Sequence, residues 1–339
     1  SMAELVGAEV NEVVMMNSLT VNLHLMMSTF YRPEETRNKI LIEQHAFPSD
    51  HYAVGSQINL HNLVPGDCLV EVPPSEGVEF ITTDDVCAAI EETGDSLALV
   101  LLPGVQYYTG QVFDMQRITA AAHAVGAIAG FDLAHAAGNI PVSLHDWNVD
   151  FAAWCSYKYL NSGPGSVGGC FIHERHATNT GLPRLAGWWG HDKTTRFKME
   201  NKFVPMPTAE GWQVSNPPSL SLAAIRASLD VFKEAGGMSP LREKSLKLTG
   251  FFAMALGAML SGRVDIITPE DEAARGCQLS LSVNLEGKNG REVYEQLEST
   301  GVRTDWREPN DIRAAPVPQY NTFEEVWQFV HKLKECLDG

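Results

Sequence analysis

Residues 96–135, SLALVLLPGVQYYTGQVFDMQRITAAAHAVGAIAGFDLAH, place two uninterrupted apolar runs on either side of a helical segment. The first run, Ser96 to Gly104, lacks the polar alternation of a half-exposed strand, so a strand there must be buried on both faces. Asp114 stands where a helix cap is wanted, and Gly126 stands where the helix must stop. The second run, from Ala127 to His135, is apolar until Asp132 breaks it. A strand, a capped helix and a second strand, both strands covered on two sides, are the signature of a parallel sheet between helical layers.

The same alternation extends in both directions. NKILIEQ (38–44) and CLVEVPP (68–74) read as strands. SLTVNLHLMMSTFY (18–31), PSDHYAVGSQINLHNL (48–63) and TTDDVCAAIEETG (82–94) read as helices, opened by hydroxyl or Pro-Ser-Asp caps. VNEVVMMN (10–17), DFAAWCS (150–156) and GGCFIHE (168–174) add three further strands. Beyond residue 237 the pattern changes. A helix over about 239–260 precedes CQLSLSVNL (277–285), whose period of two predicts a half-exposed antiparallel strand. A helix (290–301), a strand in DIRAAPVP (311–318) and a final amphipathic helix (321–337) follow. The expectation is an α/β chain: a mainly parallel sheet with helices on both faces over 1–236, and a small α+β domain over 237–339.

Composition narrows the function. Lys and Arg number 25 against 42 Asp and Glu, a formal charge of −17. Basic residues never cluster beyond a pair, which argues against a nucleic-acid partner. The six cysteines are scattered without a C-x-x-C pair, as expected of free thiols in a reducing compartment. The longest apolar helical stretch, LTGFFAMALGAML (248–260), is too short to span a bilayer, and the opening residues do not read as a signal peptide. A cytoplasmic protein with no membrane partner is expected.

Ligands of open parallel sheets sit at the carboxyl ends of the strands, and four polar signals fall there. NSLT (17–20) joins a strand to a helix, where free N–H groups and the Thr20 hydroxyl can seat a phosphate; an ordinary N-cap is the alternative. AFPSD (46–50) does the same with Phe47 and Asp50, and could equally be a capped helix with a hydrophobic staple. Asp132 and His135 follow a buried strand. Lys158, in WCSYKYL (154–160), ends the strand FAAWCSY, and its head could simply snorkel to water. Together they supply a phosphate seat, an aromatic ring, a carboxylate, an imidazole and an amine. That set suits pyridoxal 5′-phosphate (PLP), which needs a Schiff-base lysine, an acid for its ring nitrogen and anion donors. Dinucleotide, P-loop and zinc-protease motifs do not occur. The histidines of HDWNVD and HERHA match no standard zinc spacing and read as solvated loops, so no metal is expected.

NSLTVNLHLMM, AFPSDHYA, GFDLAHAAGN, DFAAWCSYKYLNSGPG, GWWGHD, TRFKMENKF, VSNPP and IRAAPVPQYN together resemble kynureninase, a homodimeric fold-type-I PLP enzyme, from about Glu9 to the C-terminus. The resemblance implies hydrolysis of L-kynurenine or its 3-hydroxy form to anthranilate or 3-hydroxyanthranilate and L-alanine, in tryptophan catabolism and pyridine-nucleotide biosynthesis. It implies that Lys158 is the Schiff-base lysine and that Asp132 pairs with the ring nitrogen. Leu19 and Thr20 would contribute to the phosphate seat, Phe47 would stack on the ring within the Phe47, Pro48, Ser49, Asp50 loop, and His135 and Tyr157 would complete the cofactor contacts. Tyr157 would also relay protons, with a pKa lowered by a nearby cation. Trp188 and Asn216 match cofactor or substrate contacts, some reached across the dimer, and Arg313 matches the arginine for the substrate α-carboxylate. Two departures stand out. Pro103 replaces a hydroxyl residue that some members carry beside the cofactor, and the family's further N-terminal segment, with its substrate-contacting histidine, is expected to be missing. Two other readings compete: a cysteine desulfurase-like enzyme of the same fold type, which needs a mobile nucleophilic cysteine, and a truncated, non-catalytic dimerisation partner that binds PLP.

Overall fold

The computed structural model describes residues 1–75, 80–284 and 289–338. The chain divides into two compact units, one of residues 1–104 and 113–231 and one of residues 105–112 and 232–339.

The first unit is built on a seven-stranded sheet: β1 (Val13–Met15), β2 (Lys39–Glu43), β3 (Leu69–Val72), β4 (Leu97–Pro103), β5 (Ile128–Asp132), β6 (Phe151–Trp154) and β7 (Gly169–Ile172), in the order β1-β7-β6-β5-β4-β2-β3. The strands from β3 through β6 run parallel. The two opening runs of the sequence pair directly, Leu99 beside Ile128 through Pro103 beside Asp132. Both strands are buried almost throughout, as uninterrupted apolar sequence requires. Four helices of ten residues or more connect them: α1 (Leu19–Phe30), α2 (Pro48–Leu60), α3 (Thr83–Thr93) and α4 (Met115–Ala124). α3 opens on a capping box between Thr82 and Asp85. Asp114 caps α4 by accepting from Arg117 N, in accord with the sequence.

β7 runs antiparallel to β6, and β1 antiparallel to β7. A parallel return needs a crossover, usually a helix. Residues 155–168 contain none, and the turn NSGPG reverses the chain with Gly163 and Gly165 in left-handed conformations (φ +87° and +73°). Gly168 then passes close to its neighbours: a Cβ there would lie 2.8 Å from the Trp154 carbonyl oxygen. The first strand is shorter than the sequence suggests. Residues 10–12 form a single 3-10 turn instead, because the Glu12 carboxylate is drawn inward to accept from the backbone of Glu9 and Glu174.

The second unit carries a four-stranded antiparallel sheet, β8 (Val264–Ile266), β9 (Leu279–Val283), β10 (Asp305–Arg307) and β11 (Asp311–Ala314), in the order β10-β11-β9-β8. α6 (Met238–Leu260), α7 (Gly290–Ser299) and α8 (Phe323–Asp338) flank it, and α5 (Ser219–Glu234) contains the boundary between the units. Leu248, Phe252, Leu281, Ile312, Val330 and Leu333 centre its core. Here the sequence expectation needs correction. β9 is not half-exposed but an interior strand, with Leu279, Ser280 and Leu281 all buried. Ser280 is tolerated because its hydroxyl donates to the carbonyl oxygen of Tyr108, in the stretch 105–112 that returns to this unit. Leu285, the last residue of the expected strand, lies outside the described residues.

Candidate functional site

The carboxyl ends of β2, β5 and β6 and the start of α1 bring the polar signals of the first unit together. β1 ends two residues before Asn17, which takes a left-handed conformation (φ 51°). The buried Asn22 fixes this turn: its Nδ2 donates to the Met16 carbonyl at 2.8 Å, and its Oδ1 accepts from Asn17 Nδ2 at 3.0 Å. Sequence reading passed over Asn22. Its signal was a lone amide inside an otherwise apolar helix, where a buried amide must have backbone to satisfy.

α1 starts at Leu19, and its N-cap Ser18 makes no side-chain capping bond. α2 starts at Pro48 behind Phe47, again with no side-chain cap. Pro suits the first helical position because its missing N–H would be unsatisfied there anyway. The two helix starts meet where Thr20 Oγ1 lies 2.8 Å from Ser49 Oγ. Two N-termini with positive dipole ends, joined by two hydroxyls, form a seat for an anion.

Beside this seat lie the acids. Asp132 ends β5, is 5% exposed, and accepts from Ala134 N at 2.6 Å. Asp50 projects inward from the first turn of α2 and is also buried. Burial pushes the Asp50 carboxyl well above the usual carboxylate range, the Asp132 charge and hydrogen bond push it further, and Glu43 adds to this while Lys158 opposes it. Burial raises Asp132 as well, against the stabilising hydrogen bond from Asp50, the Ala134 N–H and the Lys158 charge. Burial pushes both carboxyls up, so the pair favours holding a proton, and Asp50, which the Asp132 charge raises further, is the one disposed to carry it. Glu43, buried at the end of β2, was not singled out from the sequence because it reads as the polar terminus of a strand.

Lys158 does not end β6. The strand stops at Trp154, and the lysine sits in the following turn, half-buried. Its Nζ is 3.1 Å from His135 Nε2 and 5.8 Å from the centre of the Phe47 ring. Phe47 itself is 40% exposed, which leaves it room to face a ligand. His135 is buried, with its ring edge-on to Tyr159. Tyr157 is exposed, and burial of its phenol, with Cys155 and Asp132 nearby, raises its pKa. That direction is opposite to the lowering expected from the sequence: burial of the phenolate is the largest cause, and the Cys155 and Asp132 groups add to it. Pro103, at the end of β4, pairs in register with Asp132 and offers no hydroxyl.

Three further residues named from the sequence make other contacts. Trp188 packs edge-on against Trp189 and Phe197 and donates from Nε1 to the Arg196 carbonyl at 3.3 Å. Asn216 is exposed and lines a cavity of about 900 Å³ together with Glu9, Val14, Trp189 and Leu222. Arg313 lies on β11 of the second unit, where its guanidinium donates to Asp305 and to the Tyr107 carbonyl. All six cysteines are thiols rather than disulfides. Cys68, Cys155, Cys170, Cys277 and Cys336 are buried, and burial raises the thiols of Cys68, Cys87, Cys155 and Cys170, which makes poor nucleophiles.

Comparison with known proteins bears on this arrangement. Residues 241–333 match the family model described as the kynureninase C-terminal domain. The chain is 56% identical over 333 residues to the kynureninase of Xanthomonas campestris, covering 98% of this chain and 78% of that protein. It is 53% identical over 331 residues to the kynureninase of Koribacter versatilis, covering 98% and 77%. Among solved structures, a C-DES variant with glycine covalently linked to its PLP cofactor superposes with a TM-score of 0.83 at 18% identity, covering 98% of this chain and 83% of that one. The cysteine desulfurase of Thermococcus onnurineus gives 0.79 at 18% identity, covering 99% and 82%. At such identities these structures establish the fold, that of a fold-type-I PLP enzyme.

Proposed function

Because this chain belongs to the kynureninase family, we propose that its Lys158 cluster is where it carries out that family's reaction. The activity is that of a PLP-dependent hydrolase of tryptophan catabolism, acting on a carbon–carbon bond of a ketonic substrate. The substrate is L-kynurenine or its 3-hydroxy form, and the products are the aryl acid and L-alanine. The observation that carries the placement is Lys158 Nζ, 3.1 Å from His135 and facing the Phe47 ring, in a site where Asp132 is buried.

The residues present fit the cofactor. A buried carboxylate supported by one backbone N–H and a second, protonated acid is short of positive charge, which a protonated ring nitrogen supplies. Leu19, Thr20 and Ser49, at two helix starts without side-chain caps, would hold the phosphate. When bound, PLP supplies an electron sink conjugated to the substrate α-carbon. Lys158 would hold it through Nζ, and the same amine would take and return a proton. His135 Nε2 orients that amine. Phe47 and Pro48 would pack against it and exclude water, while Asp50 would hold a proton beside Asp132. Tyr157, with its pKa raised, enters as a proton donor at its hydroxyl. Arg313 takes the substrate α-carboxylate, for which its planar fork is suited. Trp188 and Asn216 would contact cofactor or substrate, some of these contacts being reached across a homodimer. The protein works in the cytoplasm; among the described residues no helix is long and apolar enough to cross a membrane.

The test is incubation of the purified chain with PLP and 3-hydroxykynurenine, followed by an assay of alanine. Alanine release with a yellow, borohydride-reducible chromophore is expected. A chromophore without alanine identifies a non-catalytic PLP-binding partner, and absence of both refutes the placement.

A further inference from the structure

At the edge of the sheet opposite Lys158, three side chains converge that the reaction does not use. His173 follows β7 and His145 precedes β6, so the antiparallel pairing of these strands brings both beside the start of β6. Glu12, fully buried, points between them. Its Oε1 lies 3.0 Å from His145 Nδ1 and 3.6 Å from His173 Nδ1, and the three groups' ligand atoms all fall within 4.8 Å of one another. The two imidazoles stack with centroids 5.0 Å apart and planes 18° from parallel, turning the same nitrogen toward the same oxygen. His173 is 8% exposed, which overturns the solvated loop expected for HERHA.

We propose that Glu12, His145 and His173 form a binding site for a borderline divalent cation of the Zn²⁺ class. Ligand atoms about 2.0–2.1 Å from a tetrahedral zinc stand about 3.3 Å apart, and the two oxygen–nitrogen separations here bracket that distance. Two imidazoles and a carboxylate are the donor set such a metal takes, and they leave a fourth position for water. The outer shell is in place: Glu9 N and Glu174 N each donate to the Glu12 carboxylate at 2.8 Å and fix its orientation. His145, with 31% of its side chain exposed, provides the way in. The nearby Arg175 guanidinium is paired with Asp150 at 2.5 Å, which offsets its charge. Two sets of contacts must give way, the His145 Nδ1–Glu12 hydrogen bonds at 3.0 and 3.1 Å and the long 3.3 Å contact from Arg175 N to His173 Nδ1, and the metal replaces them.

The test is equilibrium dialysis of the untagged, metal-stripped holoenzyme against Zn²⁺, with bound metal counted by elemental analysis, and Co²⁺ substitution followed in the visible spectrum. One Zn²⁺ per chain at micromolar free metal is expected, with Co²⁺ bands of tetrahedral intensity. His173→Gln and the partly exposed His145→Ala should each weaken binding about tenfold or more. His331→Ala, on α8, should leave it unchanged. Circular dichroism checks that each variant is folded, and His145→Ala keeps the test decisive if the buried variant is not. Failure to bind Zn²⁺ at about 100 µM, or equal binding by wild type and both site variants, overturns the proposal.

Discussion

Asp132 and Asp150 are buried carboxylates in the same sheet, 5% and 2% exposed, yet their surroundings drive them in opposite directions. Asp150, just ahead of β6, accepts from Ala129 N at 2.7 Å, His123 Nε2 at 2.8 Å and His176 Nε2 at 2.6 Å, and pairs with Arg175 at 2.5 Å. Although burial opposes it, this set of donors holds Asp150 far below the usual carboxylate range. Asp132, at the other edge, has one backbone donor and a second acid for company, and is raised. A buried charge with surplus donors locks structure, whereas one with too few is poised for a positive partner that comes and goes. The difference separates the scaffold end of the sheet from its chemical end.

The comparison is broken most severely by Lys158→Ala, which removes the amine from the chemical end. Alanine release should fall by about 10³-fold or more, and the borohydride-reducible absorbance should vanish while the denaturation curve stays put. Retention of that absorbance would mean another lysine anchors the cofactor. Asp132→Asn keeps the shape and removes the charge; kcat should fall on the order of 10²-fold, with PLP still bound. At the scaffold end the outcome should invert. Asp150→Ala leaves Arg175 and two histidines unpaired, and should cost about 3 kcal/mol in urea unfolding, with kcat of the folded fraction unchanged.

Acidity separates the two ends again. Asp150 has a lowered pKa in the folded chain, so its stabilisation is present above the unfolded carboxylate value of about 3.9 and is lost as pH falls toward the folded value. Asp50 has a raised one, so the folded chain holds an extra proton above that value, and stability from this group falls as pH rises. Urea midpoints for Asp50→Asn should therefore gain on wild type as pH climbs from 4, by up to about 1.4 kcal/mol per pH unit across the window. A constant offset would show that the acid pair does not share a proton. The smallest effect is expected from Ser49→Ala, which removes one hydroxyl from the anion seat and should weaken PLP affinity by roughly three- to tenfold.

Much of this was legible in the chain itself, for identifiable reasons. β4 and β5 announce themselves because two-sided burial forbids polar residues over several consecutive positions, and α3 and α4 because Thr82 and Asp114 must satisfy orphan N–H groups. Lys158, Asp132, Thr20 and Phe47 stood out because polar or exposed groups beside buried strands need an explanation. Glu12 and Asn22 did not stand out, although both are fully buried. The partners of Glu12, Glu174 and His145, are fixed only once the strands are paired, and those of Asn22, Met16 and Asn17, only once the chain turns from β1 into α1. The interior position of β9 was likewise hidden, since its serines suggested a wet face until residues 105–112 covered Ser280.

The sequence by itself determined most of the strands and helices (though not β8 and β10), the starts of the principal helices of the first unit, and which side chains emerge at strand ends, because these follow from local periodicity and from each residue's own solvation cost. Tertiary structure alone decided that β7 returns antiparallel, that Asp50 is brought against Asp132, and that His145 and His173 meet around Glu12. Direction, pairing and shared protons depend on distances between residues far apart in the chain, and those distances exist only when the sheet has closed.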